Sequence, residues 1–444
     1  MPLFESLYNK YMIEVKAEQE KKARALLIGS PAAKEAGKPE ELEGLVQTLG
    51  MDIAGSLVLT RIEPTPAYGI GTGKAQEITD KAKELEADCI IFDWEIDPTK
   101  QRNWEKLTQK PVFDRNEVII RIFAQRAKTK EATLQVNLAR LVYSLPRLSH
   151  TYGDLSRQRG GTFGNKGSGE TQLELDRRQI EDKITQIKKE LEQVEQNRAT
   201  QRKQRERTES ASCALVGYTN AGKSSLLNAL TGADAFVENK LFATLDPTTR
   251  KLALSEGNSV LLTDTVGFIS NLPHTLIDAF KSTLEEAKYA TLLLVTVDAS
   301  DANCVKQYEQ VQKVLREIQA SDVPQLILLN KIDRVEQDAM RLSELEAVFP
   351  GAIKTSAATK TGFDALLTAI AEQVLGSIGR YRIPLEKSSL AELVRRNGTI
   401  LDEEWTDDSV ELTARVPGKF DEQGNATSRT LALLSPYRIH EQEE

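Results

Sequence analysis

The chain has 444 residues, 40% of them hydrophobic and 28% charged, a balance typical of a globular protein of two to four domains. Three scattered cysteines and three dispersed histidines argue against a disulfide framework and a zinc-type cluster, and the net charge of −8 argues by itself against a nucleic-acid binder. No apolar run approaches the ~20 residues of a membrane span and the N-terminus lacks a signal-peptide core, so we expect a cytoplasmic protein with no membrane span.

The N-terminal part of the chain alternates strand-like and helix-like patterns. Buried strands are predicted at 25–29, 53–59, 89–93 and 111–114, and helices at 75–86, 98–107 and 118–127. This βαβ rhythm predicts an N-terminal α/β domain over residues 1–128. The glycine-rich stretch from Tyr68 to Lys74 superficially resembles a phosphate loop, but its spacing is not GxxxxGK and Ala75 replaces the Ser or Thr. A tight turn is favoured there over a second nucleotide site.

A helical arm is predicted over residues 129–209. Its first helix covers 130–148, its second runs from about 172 to 209, and a basic loop at 155–171 joins them. The loop holds five glycines, three cations and one aromatic residue, so it will not pack a core. From 121 to 210, 19 Lys and Arg stand against 12 Asp and Glu, which leaves −15 for the remainder. This basic middle favours nucleic-acid contact, but a solvated helix pair or a flexible connection fits the charge equally well.

The most informative segment reads GxxxxGKS, between an apolar strand pattern at 212–217 and a helical pattern. Backbone N–H groups of such a turn and the helix N-terminus bind phosphate. Lys223 is expected to reach the outer phosphates, and the Ser224 hydroxyl to ligate Mg²⁺. The predicted nucleotide contacts of this segment are Gly217, Tyr218, Thr219, Asn220, Ala221, Gly222, Lys223, Ser224 and Ser225.

Three more motifs follow, and the second of them selects guanine. We expect Asp264 to hold a Mg²⁺-bound water and the Gly267 N–H to sense the γ-phosphate. The Asp333 carboxylate can accept two N–H groups of guanine, a donor pair that adenine lacks. The Asn330 amide can meet the other edge of the base, and the Lys331 stem can lie over the ring. The predicted contacts are Asp264-Thr265-Val266-Gly267, Asn330-Lys331-Ile332-Asp333 and, closing over the base, Ser356-Ala357-Ala358. Together the four motifs predict an enzyme that binds GTP and hydrolyses it to GDP and phosphate.

These motifs lie in a predicted GTPase domain at 210–378, and a small α+β domain is predicted at 379–444. Strand patterns of the first fall near 212–217, 250–255, 259–264, 291–298, 325–330 and 352–355. A hairpin at 256–258 makes one strand antiparallel. The C-terminal patterns are a helix near 390–393, a strand at 409–416 and an element at 429–434. The predicted fold class is therefore α/β: a P-loop GTPase domain with an N-terminal α/β domain, a helical-hairpin arm and a small C-terminal α+β domain.

Several segments outside the GTP motifs carry a family resemblance. They are the basic loop continued to 174, the segments 112–115 and 122–127, Arg382-Ile383-Pro384, and the first-switch segment Phe242-Ala243-Thr244-Leu245-Asp246. Together they resemble HflX, a branch of the Obg-like translation-factor GTPases. The loop departs from the family's usual SRQGGGIGTRGPGE: Arg159 replaces a glycine, Thr162-Phe163 replace the small-apolar pair, and Lys166 replaces arginine.

The resemblance implies a monomeric cytoplasmic GTPase that binds the large ribosomal subunit (50S). It implies that residues 155–171 reach rRNA near the peptidyl-transferase centre, and that the protein splits or rescues stalled ribosomes or acts as an assembly-linked switch. Whether the N-terminal domain also binds ATP, as in some relatives, stays open. The alternative is a GTPase component of an RNA-modification or rRNA-maturation complex. Such relatives carry a C-terminal cysteine or a GXXG loop, and neither occurs at 379–444.

Hydrolysis is expected to depend on Lys223, Thr244 and Gly267. By resemblance to the Obg pattern, Thr244 joins Ser224 as the second Mg²⁺ ligand, with Thr249 as runner-up, and the first-switch segment contacts the nucleotide. Phe268 stands where many GTPases place a water-orienting glutamine, so hydrolysis should be slow alone and stimulated by ribosomal subunits. Asn220 resembles the potassium ligand of K⁺-dependent relatives, although Asn also favours turns.

Overall fold

The computed structural model describes residues 22–31, 38–62, 65–158, 168–207, 211–232, 241–242, 244–254, 258–270, 281–376, 378–416, 418, 426 and 428–439. The chain divides into two compact units. The first unit comprises Met1–Ala199, Asn239–Asp246 and Asn271–Lys281. The second unit comprises Thr200–Glu238, Pro247–Ser270 and Ser282–Glu444.

The first unit is built on a parallel sheet of four strands in the order β2-β1-β3-β4. The strands are β1 (Arg24–Gly29), β2 (Asp52–Val58), β3 (Cys89–Phe92) and β4 (Val112–Asp114). The helices of this region are α1 (Glu40–Thr48), α2 (Thr72–Glu84), α3 (Pro98–Thr108) and α4 (Arg115–Arg126). The two central strands are almost entirely buried, as continuous apolar runs in parallel sheets require. The predicted βαβ rhythm is confirmed.

The glycine-rich stretch before α2 forms a turn, as predicted. Gly69 has a φ of +75°, which favours glycine, and Gly71 is the residue before the helix. The helix begins at Thr72, three residues before the predicted start, and Lys74 forms an ion pair with Glu77 at 2.7 Å. The lysine of this stretch is thus bonded within its own helix.

Asp114 explains why α4 begins at Arg115 rather than at residue 118 as predicted. Its Oδ1 accepts a hydrogen bond from the Glu117 N–H at 2.9 Å, a typical N-cap contact. The same carboxylate accepts from the Tyr143 hydroxyl at 3.0 Å and from Arg147 at 3.2 Å. Burial raises the pKa of Asp114 to about 6, although the N–H groups of Glu117 and Ile96 and the charge of Arg147 favour the charged form. The carboxylate therefore ties the edge of the sheet to the first arm helix.

The arm consists of α5 (Lys130–Gln158) and α6 (Ser168–Arg207). The predicted loop at 155–171 is wrong at both ends, because 155–158 continue α5 and 168–171 begin α6. Of the loop's three cations, Arg157 lies on α5, whereas Arg159 and Lys166 lie outside the described residues. The helix also continues through Pro146, which the sequence pattern placed near its end.

The second unit contains a six-stranded sheet in the order β10-β9-β8-β5-β7-β6. Its strands are β5 (Ser212–Gly217), β6 (Thr248–Ala253), β7 (Ser259–Asp264), β8 (Leu292–Asp298), β9 (Gln325–Asn330) and β10 (Ile353–Lys354). The helices are α7 (Lys223–Thr231), α8 (Lys281–Lys288), α9 (Cys304–Glu317), α10 (Ala339–Val348) and α11 (Phe363–Leu375). Within the described strands of this six-stranded sheet, only the β6–β7 pair is antiparallel, as predicted. The carboxyl ends of the parallel strands therefore meet at one edge.

The C-terminal part of the same unit is an antiparallel sheet of order β11-β13-β12. Its elements are β11 (Ile378–Pro384), α12 (Ser389–Asn397), β12 (Thr399–Trp405), β13 (Ser409–Arg415) and α13 (Arg429–Leu434). Alternate residues of β11 are buried, as expected for a sheet with one face on a core. β11 and β12 were not predicted from the sequence. Within the described residues, no helix has the length and apolarity needed to cross a membrane.

Candidate functional site

The GxxxxGKS segment forms the turn between β5 and α7, and three of its residues need left-handed backbone. Gly217, Asn220 and Gly222 have φ values of +152°, +61° and +92°. A Cβ on Gly217 would overlap the carbonyl oxygen of Thr296, and one on Gly222 would overlap the Asn330 amide. Glycine is therefore required at both positions, and Asn220 fits because asparagine tolerates this conformation.

Lys223 is the first residue of α7, and its side chain turns back into the loop that precedes it. Its Nζ donates to the carbonyl oxygens of Tyr218 at 2.8 Å and Gly217 at 3.2 Å, and only 6% of the residue is exposed. Burial lowers the pKa of this lysine to about 8, Asp264 acts in the opposite direction, and Lys331 lowers it further. A buried cation inside a glycine loop is the arrangement that a phosphate chain neutralises.

Ser224 and Asp264 meet beside the loop. The Ser224 hydroxyl donates to Asp264 Oδ2 at 2.6 Å, and Asp264 is 1% exposed. The pairing of β5 with β7, in which Leu215 lies opposite Asp264, brings the two motifs together. A hydroxyl and a carboxylate are the hard oxygen donors that Mg²⁺ prefers, so the residues present fit this ion. The Thr219 hydroxyl is buried and has no hydrogen-bond partner among the described residues, which suits a phosphate oxygen.

The segment after β7 is fastened to the phosphate loop by its backbone. The Thr219 N–H donates to the Phe268 carbonyl at 2.7 Å, and the Phe268 N–H donates to the Gly217 carbonyl at 3.1 Å. A Cβ on Gly267 would stand 2.9 Å from Lys223 Nζ, so a side chain there would crowd the lysine. The Thr265 hydroxyl donates to the Leu215 carbonyl at 2.7 Å, and Val266 is buried. The Phe268 side chain is itself buried and carries no polar group toward a water.

Asn330 ends β9 and ties two other motifs together. Its Nδ2 donates to the Ala221 carbonyl at 2.8 Å, and its Oδ1 accepts from the Ala357 N–H at 3.3 Å. The side chain is 1% exposed. Sequence reasoning assigned this amide to one edge of the base, and that role stays a prediction. The contacts show a further role, since Asn330 holds the phosphate loop and the 356–358 loop together.

Lys331 lies over the phosphate loop. Its Nζ donates to the Asn220 carbonyl at 2.8 Å and forms an ion pair with Asp298 at 2.6 Å. Asp298, the last residue of β8, was missed by sequence reasoning. A carboxylate at the end of a strand neighbouring β9 was the available signal, because such strand ends meet at one edge. Asp298 fixes the lysine stem at the position where it is expected to cover the base.

The base-selecting carboxylate is held by the last motif. The Ser356 hydroxyl donates to Asp333 Oδ1 at 2.6 Å, and the Ile332 N–H donates to the Thr355 carbonyl at 3.2 Å. Ser356 is fully buried, Ala357 is half-buried and Ala358 is exposed. One oxygen of Asp333 is thereby oriented by the protein, which fixes the plane of the carboxylate. Its contact with guanine stays a prediction.

The predicted first-switch residues do not lie in the second unit. Phe242, Thr244, Leu245 and Asp246 belong to the first unit, and Ala243 lies outside the described residues. Thr249, the alternative Mg²⁺ ligand, is on β6, and its hydroxyl is 2.9 Å from that of Thr263. Two further predicted contacts lie in the phosphate-loop segment. Ser225 is the third residue of α7. Tyr218 is buried, and its hydroxyl accepts a hydrogen bond from the Ser270 N–H at 2.7 Å.

Comparison with known proteins gives three matching family models along the chain. They are described as GTP-binding GTPase N-terminal at 37–124, GTP-binding GTPase Middle Region at 126–205, and 50S ribosome-binding GTPase at 212–331. A protein named GTPase HflX from Akkermansia muciniphila is 44% identical over 428 residues, covering 92% of this chain and 98% of its own length. GTPase HflX from Escherichia coli K12 is 41% identical, with coverages of 85% and 89%. A GTP-binding protein of Sulfolobus solfataricus, solved with GDP, is 26% identical at a TM-score of 0.43, with coverages of 79% and 98%.

Proposed function

Because this chain belongs to the HflX family of GTPases, we propose that it is a cytoplasmic, monomeric switch that hydrolyses GTP on the large ribosomal subunit and splits or rescues stalled ribosomes. GTP hydrolysis follows from the family and from the GTPase domain. The description of that domain as 50S ribosome-binding supports the choice of subunit. The release of stalled ribosomes is the part of the proposal that goes beyond these matches.

One observation carries the proposal: the phosphate loop, Asn330 and the 356–358 loop form one hydrogen-bonded assembly. In this assembly the buried lysine, the orphaned Thr219 hydroxyl and the backbone N–H groups of the loop bind the phosphates of GTP. Asp333 and Asn330 bind the guanine base, and Lys331 covers it. The phosphates and the base are thereby both bound by groups that the fold positions before binding.

The hydroxyls of Ser224 and Thr244 would hold a Mg²⁺ ion and Asp264 would hold one of its waters, and the ion would supply positive charge against the outer phosphates. Gly267 leaves room for Lys223 and donates its N–H to the γ-phosphate. Phe268 offers no hydrogen bond to an attacking water, so the chain alone orients that water poorly. We propose that the large subunit supplies or orders the missing group. Asn220 as a potassium ligand stays a prediction, since its backbone conformation already explains asparagine.

The contact with the subunit is proposed to lie at the junction of the two arm helices, and its salt dependence tests it. Changing Arg157, Arg159 and Lys166 together to Gln should weaken binding to large subunits. Each cation that contacts an rRNA phosphate releases counterions condensed on the RNA, and this favourable contribution to binding would be lost. The slope of log K against log salt should fall by roughly one unit per lost contact. Sedimentation with subunits at several salt concentrations measures both quantities.

A matched control changes three exposed lysines of α6, Lys183, Lys188 and Lys189, to Gln. This control removes the same charge from the same arm, away from the junction. The proposal expects a smaller loss of affinity and a slope closer to that of the unchanged protein. Equal effects of the two triple changes would indicate general charge attraction and would contradict a specific contact at the junction of the two arm helices.

A further inference from the structure

The segment Phe242–Asp246 is assigned by sequence to the first switch of the GTPase, yet its described residues, with Leu241 before them, belong to the first unit. Its backbone begins with a contact to α1, where the Leu241 N–H donates to Thr48 Oγ1 at 3.3 Å. The Leu241 side chain lies against Gly44, with Cδ1 3.1 Å from the place that a Cβ on residue 44 would take. The absence of a side chain on Gly44 thus allows this close approach to α1.

The next residue anchors the segment on α4. The Phe242 side chain is 2% exposed, and its ring packs edge-on against Phe123 with centroids 4.6 Å apart and an interplanar angle of 76°. Phe242 has a φ of +54°, an uncommon conformation for a bulky residue. Such conformations persist where the surroundings over-determine them. The aromatic contact therefore holds the backbone here in one specific conformation.

The far end of the segment is fixed by Asp246 at the start of α5. Its Oδ2 accepts hydrogen bonds from the N–H groups of Lys128 at 3.2 Å and Thr129 at 3.3 Å, and its Oδ1 accepts from the Thr129 hydroxyl. The same hydroxyl accepts from the Ala132 N–H at 3.1 Å, which makes Thr129 the N-cap of the helix. A carboxylate in this position meets free N–H groups and the positive end of the helix dipole.

We propose that Asp246 is a positioning residue for the first switch, which acts by anchoring the segment to the N-cap of α5 through Thr129. With Leu241 and Phe242 fixed on α1 and α4, the anchor at Asp246 limits the conformations open to Thr244, two residues before it. The inference rests on the proposed function, in which Thr244 is a Mg²⁺ ligand when GTP is bound. Phe242 and Asp246, predicted from sequence as nucleotide contacts, then act by holding the switch.

A segment whose two ends are already fixed has fewer conformations to lose when the active arrangement forms. Loosening the anchor should therefore slow hydrolysis and leave GDP affinity unchanged, because GDP lacks the γ-phosphate that engages the first switch. This separation between rate and GDP affinity distinguishes positioning from a general loss of structure.

The test changes Thr129, which belongs to none of the GTP motifs. Thr129→Val removes the hydroxyl that bonds Asp246 and keeps the shape of the side chain. We expect the single-turnover rate of GTP hydrolysis, measured without subunits, to fall by about fivefold to tenfold, the size expected for one lost charge-assisted bond. The dissociation constant for GDP should change by less than about twofold, because no phosphate contact is altered. Thr129→Ser keeps the hydroxyl and should restore the rate.

Thr133→Val is the matched control on the same helix. The Thr133 hydroxyl is exposed and donates to the Thr129 carbonyl at 2.8 Å, inside its own helix, so its loss should leave the rate unchanged. A Thr129→Val protein that hydrolyses GTP like Thr133→Val overturns the inference, as does a parallel loss of GDP affinity or a slow Thr129→Ser protein. The proposed function is judged separately, on the unchanged protein with large subunits, so the two failures are distinguishable.

Discussion

Changing Lys223 to Ala is expected to weaken GTP and GDP binding by at least about a hundredfold, because the phosphates lose charge-assisted bonds to a buried ammonium. The same change should cost little stability without nucleotide. Burial already disfavours the charge of this lysine and lowers its pKa to about 8, so its removal relieves a desolvation penalty. Titration calorimetry with GDP and thermal unfolding with and without nucleotide measure the two effects.

The matched control is Lys306→Ala, which removes an exposed lysine from α9. This variant should bind GDP as the unchanged protein does and should gain thermal stability from the nucleotide as the unchanged protein does. If Lys223→Ala still binds GDP within a few-fold of the unchanged protein, the glycine loop does not hold the phosphates as described.

Changing Asp333 to Asn should reverse the choice of base. The carboxylate is expected to accept two N–H groups of guanine, and an amide offers an acceptor and a donor instead. Xanthine carries a carbonyl where guanine carries its amino group, so it suits the variant. We expect GTP affinity to fall by about a hundredfold or more and xanthosine triphosphate to bind better than GTP, since unpaired polar groups in a built site are costly.

Competition between the two triphosphates for a fluorescent nucleotide measures this preference directly. Asp322→Asn, at an exposed position before β9, is the control for the loss of one negative charge. The oriented geometry of Asp333 should survive the change, because the Asn side-chain oxygen can still accept from Ser356. An unchanged preference for GTP over xanthosine triphosphate in Asp333→Asn would contradict the assignment of the base site.

The phosphate loop and the positions of the strands in the first two sheets were predictable because their signals are local. Gly217 and Gly222 encode backbone conformation at fixed spacing, and buried apolar runs encode central strands. The ends of the arm helices were missed for the converse reason. Residues 155–158 and 168–171 are mostly polar and flank a glycine-rich stretch, a composition that favours a loop, but they form the ends of long helices whose formation is cooperative.

Most of the other features that the sequence did not predict depend on pairings between residues far apart in the chain. The ion pair of Lys331 with Asp298 joins the ends of neighbouring strands, and a carboxylate at a strand end does not by itself specify which lysine it meets. Strand β12 (Thr399–Trp405) is rich in Asp and Glu, which are depleted in strands, and pairing with β13 overrides that preference. The contact of Asp246 with the start of α5 joins it to Thr129, more than a hundred positions away in the chain.

The central claim, that GTP hydrolysis is completed on the large ribosomal subunit, is tested most directly by single-turnover hydrolysis with and without purified large subunits. The buried Phe268 cannot orient the attacking water, so the isolated protein should be slow. Large subunits should raise the rate by at least about an order of magnitude, the typical contribution of a supplied catalytic group, and small subunits should not. Equal rates with and without large subunits would contradict the account.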